Sequence, residues 1–209
     1  MDSATSYRMT VMSNEWIGGT NAMNASKGKL VIVSAPSGTG KGTVINKLLE
    51  LRPEFVFSVS TTTRSPRPGE VDGVAYHFVS HDEFKKMIEN GDLLEHAQFV
   101  GEYYGTPIKP INECIEAGQT VILDIEVQGA KQVMSKDVEP ISIFLIAPSM
   151  EELENRLRGR GTDSEEKLIA RLERARMELD EKEHYDHIVV NDVATRAAEE
   201  ILSIIEGKE

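Results

Sequence analysis

A phosphate-loop α/β fold is what this sequence predicts: a doubly wound parallel sheet flanked by helices, with an inserted small lobe and a lid. Three observations predict it. Short apolar runs recur along the chain, helical stretches separate them, and a glycine-rich turn follows the first run directly. The runs are Leu30-Val31-Ile32-Val33, Val121-Ile122-Leu123, Ile141-Ser142-Ile143-Phe144-Leu145-Ile146 and His187-Ile188-Val189-Val190. They are nearly continuous rather than alternating, as expected of parallel strands covered on both faces.

Taken in order, residues 1–26 are polar, rich in Asn, Ser and Thr, and aperiodic despite Trp16, so they read as a mobile extension with no assigned function. The core is expected over 27–59 and 107–209. After the first run, Val44, Ile45, Leu48 and Leu49 fall at helical spacing, which gives strand, loop, helix. Between residues 60 and 106 the texture changes: Pro66, Pro68, Gly69 and Gly73 punctuate short segments, which predicts the inserted lobe. Further helices are expected over 108–117, 129–134, 149–158, 165–182 and 194–205, with the lid at about 156–171. Ser80-His81-Asp82-Glu83 and Ser149-Met150-Glu151-Glu152 match the capping box and mark two helix starts. Leu168, Leu172, Ala175 and Leu179 form one apolar stripe, which turns the arginines between them toward solvent or a ligand.

Composition narrows the function. The formal net charge of −12 on 209 residues argues against sequence-independent DNA or RNA binding, which rests on neutralising many phosphates with basic side chains. Within this acidic chain, residues 156–176 carry a local excess of arginine and lysine, which fits either a solvated helix face or a site for a small anion. A single cysteine, Cys114, excludes an internal disulfide and fits a cytoplasmic setting. No apolar run is long enough for a membrane span, and the histidines, including the His184/His187 pair, make no metal site.

The glycine-rich turn is Ala35-Pro36-Ser37-Gly38-Thr39-Gly40-Lys41-Gly42-Thr43. Its glycines let backbone amides turn in around a polyphosphate, the helix N-terminus adds partial positive charge, and Lys41 reaches the β/γ oxygens of a nucleoside triphosphate. Two positions depart from the general pattern: Ala35 replaces the first glycine, and Gly42 replaces the hydroxyl residue that would hold Mg²⁺. The ion is therefore expected to be held by phosphate oxygens and water, with Thr43 as the available hydroxyl and no side-chain cage.

Downstream, Thr61-Thr62-Thr63-Arg64-Ser65-Pro66-Arg67-Pro68-Gly69-Glu70 places two planar guanidinium forks three residues apart on a proline-stiffened segment. Together with the Ser37-Gly38-Thr39-Gly40-Lys41 loop, the Tyr103-Tyr104-Gly105 turn, Leu123-Asp124-Ile125-Glu126 and Arg158-Gly159-Arg160-Gly161, this segment resembles the guanylate kinase family from about Lys29 to the last helix.

The resemblance implies ATP and GMP as small-molecule substrates, Mg²⁺ with ATP, and a monomer or homodimer. It implies that Arg64, Arg67, Tyr76 and Tyr104, with Glu70 beside them, hold the GMP phosphate, and that Ser60, Glu95, Thr106 and Asp124 face guanine. Alone, Glu95 would read as an exposed acid. Guanine offers two donors, N1–H and an exocyclic amine, where adenine offers a bare acceptor, so carboxylates select the first. Arg156, Arg160 and Arg171 resemble the lid, with Gly159 and Gly161 giving it backbone freedom. Asn191-Asp192 resembles the adenine-contacting turn and equally fits a helix cap. Lys41, Arg64, Arg160 and Arg171 are the expected catalytic cations. Glu126 stands where an aspartate is expected, with one methylene more. Two rivals are a kinase for AMP, UMP or dTMP, against which Glu95 and Asp124 speak, and a non-catalytic scaffold module, against which the retained Lys41, Arg64, Arg67 and Arg160 speak.

Overall fold

The computed structural model describes residues 27–99, 101–159 and 164–208. The N-terminal expectation for 1–26 and the lid residues Arg160 and Gly161 lie outside these.

Strand β1 (Leu30–Ser34) leads through the glycine-rich turn into α1 (Lys41–Leu51), followed by β2 (Val56–Phe57). A second group follows: β3 (Thr61–Thr62), β4 (His77–Phe78), α2 (His81–Asn90), β5 (Leu93–Phe99) and β6 (Glu102–Pro107). The chain then alternates through α3 (Ile108–Glu116), β7 (Val121–Asp124), α4 (Val127–Met134), β8 (Ile141–Ile146), α5 (Met150–Gly159), α6 (Glu165–Leu179), β9 (His187–Val190) and α7 (Ala194–Glu206).

Five strands form one parallel sheet in the order β2-β7-β1-β8-β9, the doubly wound arrangement expected from the apolar runs. Because successive side chains of β1 point to opposite faces, Val31 and Val33 join the layer formed with α1 and α7, and Ile32 joins that formed with α3 and α4. All three are fully buried, each contributing about 1.5–3 kcal/mol by leaving water. With β1 central, its C-terminal end and the turn that follows are anchored from both faces. Helices α5 and α6 pack on each other through a smaller core of Leu153, Leu157, Leu168, Leu172 and Ala175. A separate four-stranded sheet, β4-β3-β6-β5, joins β3 to β6 and β6 to β5 antiparallel and β3 to β4 parallel.

Local chemistry accounts for several boundaries. Ser80 and Glu83 make the complete reciprocal capping box of α2, which ends on Gly91 in the left-handed region. At α5 only half of the expected box forms. Ser149 Oγ accepts from the Glu152 amide at 3.1 Å, but the Glu152 carboxylate accepts from Arg156 instead, because a guanidinium one turn on is the stronger partner. The long helix expected over 165–182 stops being α-helical at Leu179 and tightens into a 3-10 turn, Asp180–His184. Helix α4 begins two residues before the expected start, at Val127.

Candidate active site at the shared wall of two cavities

Two cavities open beside the C-terminal end of β1. The first, about 300 Å³, lies between the two sheets and is lined by Ser60, Tyr76, Glu95, Tyr104, Gly105 and Asp124, among others. The second, about 570 Å³, is lined by the glycine-rich turn and by Ala170, Arg171, Arg174 and Glu178 of α6. Lys41, Phe99, Glu126 and Arg174 belong to both. Ligands in the two cavities would therefore meet at a wall that carries two cations and one carboxylate.

The turn takes its shape from Gly38 and Gly40, whose φ angles of 94° and 92° only glycine adopts readily. Ala35, Pro36, Ser37, Gly38, Gly40, Lys41, Gly42 and Thr43 all face the second cavity. Thr39 does not. It is buried, and its carbonyl accepts from Asn191 Nδ2 at 2.7 Å and from Arg156 Nη1 at 3.1 Å. Asn191 and Arg156 thus brace the turn from behind. The cap alternative for Asn191 is overturned: the N-cap of α7 is Val193, with no side-chain cap, because the Asn191 amide is committed to Thr39. Arg171 lines the second cavity, as the arrangement of the α6 stripe suggested.

In the first cavity Glu95 is buried, and its Oε1 accepts from Thr106 Oγ1 at 2.6 Å. Burial pushes its carboxyl above the usual range, against the opposing pull of Thr106 and Lys136. This disposes of the exposed-acid reading. The missing side chain of a helical glycine makes room for it: a Cβ on Gly129 of α4 would sit 2.3 Å from Glu95 Oε2. Tyr76 is half-buried, and its phenol is raised by burial and then by Asp124.

Ser60, Tyr76, Glu95, Tyr104 and Asp124 are brought together in this cavity, with Thr106 behind Glu95. Arg64, Arg67 and Glu70 are not in its lining. Arg64 stands next to it, its guanidinium 5.4 Å from the centre of the Tyr76 ring, and forms a two-pronged pair with Glu70 at 2.9 Å on each prong. That pair raises the arginine and holds the Glu70 carboxyl below its usual range. Glu70 also accepts from the Arg67 amide, at 2.7 Å, while the Arg67 residue is exposed.

Three cations around the turn and the shared wall rest on carboxylates. Lys41 Nζ is 2.6 Å from Asp124 and donates to the Ile125 carbonyl at 3.0 Å; Arg174 contacts Glu126 at 2.6 Å; Arg156 contacts Glu152 at 2.8 Å. Sequence reasoning gave no role to Arg174, Phe99, Gln98 or Gly129. Arg174 was visible only as one of several arginines in a basic stretch, and the other three carry no chemical signature.

A phosphate-binding turn after the central strand, a second cavity sharing its wall, and cations converging on their border define a nucleotide phosphotransferase of the phosphate-loop class. The family narrows from there. The family model described as "Guanylate kinase" matches residues 27–208. A guanylate kinase from Lactococcus lactis is 50% identical over 182 residues, 87% of this chain and 89% of that protein. One from Trichodesmium erythraeum is 52% identical over 165 residues, 79% of this chain and 89% of that protein. The crystal structure of guanylate kinase from Anaplasma phagocytophilum superposes with a TM-score of 0.71 at 37% identity, covering 88% and 87% of the two chains. The chain belongs to the guanylate kinase family.

Proposed function

We propose that this protein transfers the γ-phosphoryl group of ATP to GMP, giving ADP and GDP, in cytoplasmic purine nucleotide metabolism, and that dGMP enters the same pocket. The observation that carries the reading is the wall common to both cavities, with Lys41 at the border. ATP takes the cavity of the glycine-rich turn, its phosphates on the loop amides and Lys41, with Arg171 closing from α6 and Arg160 completing the lid. GMP takes the cavity between the sheets.

Glu95 and Asp124 accept from the guanine N1–H and amine, supported by Ser60 and Thr106. Arg64, Arg67, Tyr76 and Tyr104 receive the GMP phosphate, and Glu70 keeps Arg64 aimed until it arrives. The acceptor is already an anionic oxygen, so no general base is needed; positioning and charge neutralisation supply the catalysis. Lys41 exchanges Asp124 for phosphate, which leaves Asp124 to read the base. Residues 60–106 act as the acceptor lobe and about 156–171 as the lid, together excluding water from the transfer.

The donor set fits Mg²⁺, which binds few protein oxygens and keeps phosphate and water ligands. Thr43 lines the second cavity, and nothing lies within 4 Å of a Cβ built on Gly42, which leaves room for a hydrated ion. Thr43 would hold it, and the ion would neutralise charge on the transferring phosphoryl oxygens.

A coupled ADP-release assay with ATP against GMP, AMP, UMP and dTMP tests the proposal. GMP should give turnover far above the others. Equal turnover with AMP would overturn it.

A further inference from the structure

The arginine at the shared wall has geometry that neither cavity alone explains. Arg174 lies on α6 three residues after Arg171, and its guanidinium is engaged on three sides. Nη2 donates to Glu126 Oε2 at 2.6 Å, Nε donates to Glu178 Oε1 at 2.7 Å, and the guanidinium carbon stands 4.8 Å from the centre of the Phe99 ring. Each partner belongs to a different part of the protein. Glu126 precedes α4 just beyond β7 of the parallel sheet, Phe99 ends β5 of the second sheet, and Glu178 lies on α6 itself. Only a planar fork with a stacking face can make two edge contacts and one face contact at once.

Electrostatics gives this junction a consequence for binding. The Glu126 carboxylate stands in the wall of both cavities, where polyanions must approach. Left alone it would repel both ligands; paired with Arg174 it is neutralised. Because Arg174 already ties α6 to Glu126 and to Phe99, a ligand that fixes α6 against the glycine-rich turn also fixes those two partners. A ligand that fixes the second sheet holds Phe99 on Arg174 and, through it, steadies α6. We infer that Arg174, held by Glu126 and Phe99, is a positioning residue that couples the two nucleotide sites, so that filling one cavity raises affinity for the other. The inference rests on the assignment of ATP and GMP to the two cavities.

Coupling of this kind is reciprocal and commonly amounts to about 5- to 150-fold in affinity. Isothermal titration measures it directly: the Kd for GMP is determined with and without saturating adenosine 5′-(β,γ-imido)triphosphate, and the reverse titration checks reciprocity. The wild type should show a ratio of at least about fivefold. In Arg174→Met the ratio should fall to near one, and Phe99→Ala, which alters an exposed ring, should lower it independently. Glu126→Gln should also lower it, and the Arg174→Met/Glu126→Gln pair should lose no more than Arg174→Met alone, since contacting residues act as a unit.

Because the readout is a ratio within each variant, a change in general affinity does not imitate the effect. If the wild type binds each nucleotide singly but without enhancement, or if Arg174→Met keeps the wild-type ratio, the coupling is refuted while the assignment of cavities stands. If the wild type binds no GMP at all, both fall together.

Discussion

Replacing Gly129 with alanine should damage GMP selection without harming the fold. The added Cβ would lie 2.3 Å from Glu95 Oε2 and 2.9 Å from its Cδ, and contacts under 3.0 Å are essentially never tolerated. Helix α4 is poorly placed to retreat, because Ala130 and Val133 are fully buried against the parallel sheet. The Glu95 carboxylate must therefore give way, moving from its hydrogen bond with Thr106 and from the guanine edge. A hydrogen bond to a charged group contributes about 1.5–3 kcal/mol, so losing the aligned contact should lower kcat/KM for GMP about 10- to 150-fold. Stability should move the other way or stay level, since alanine in a helix interior is favoured over glycine by about 1 kcal/mol, which offsets the strain. The assay is coupled ADP release over a GMP titration, paired with thermal melting. A Gly129→Ala protein with kcat/KM for GMP within about threefold of wild type would refute the placement of Glu95. A collapse of Tm would refute the claim that the carboxylate, rather than the helix, yields.

Lys41→Met should lower kcat about 10²- to 10³-fold, the usual loss on removing one preorganised donor from a charged transition state, measured by steady-state turnover with ATP and GMP. Gly40→Ala should lower the urea midpoint by an amount equivalent to about 1–2 kcal/mol, since it forces a side chain into the left-handed region and its Cβ would lie 2.8 Å from Asn191 Nδ2, loosening the brace on Thr39. The raised Glu95 carboxyl makes two linked pH predictions. Guanine needs the ionised form, so KM for GMP should rise as pH falls into a range above that of an ordinary glutamate, and Glu95→Gln should flatten that acid limb. The native state also holds this proton to higher pH than the unfolded chain, so the residue's contribution to stability falls as pH rises through the same interval. Urea denaturation of wild type against Glu95→Gln should show that sign.

The parallel sheet was readable because its strands are continuous apolar runs, and burial on both faces leaves that signature regardless of tertiary detail. The glycine-rich turn was readable because phosphate binding constrains backbone and lysine together. The second sheet was less so. Strand β5 is Leu93–Phe99, with His96 and Gln98 breaking the apolar pattern, and β6 is Glu102–Pro107, of which the sequence shows only the Tyr103-Tyr104-Gly105 turn. Glu95 shows the same limit: in sequence it is a lone acid beside a histidine, and only the packing of β5 against α4 buries it. Arg174 was hidden for another reason. Its two partners outside α6 lie 48 and 75 positions away in the chain, and one basic residue among several gives no sign of which two cavities it divides. Asn191 shows how a polar residue at a strand end stays ambiguous in sequence: of the two readings open to it, the cap fails because its amide braces the turn.

The account depends on two nucleotides lying end to end across one wall. Adenosine and guanosine joined through a chain of five phosphates would span both cavities at once, and competition titrations against ATP and against GMP measure whether it does. The account predicts that this single molecule displaces both nucleotides, one per protein, and binds far more tightly than either. Displacement of only one of them, with the other remaining bound beside it, would contradict the shared wall.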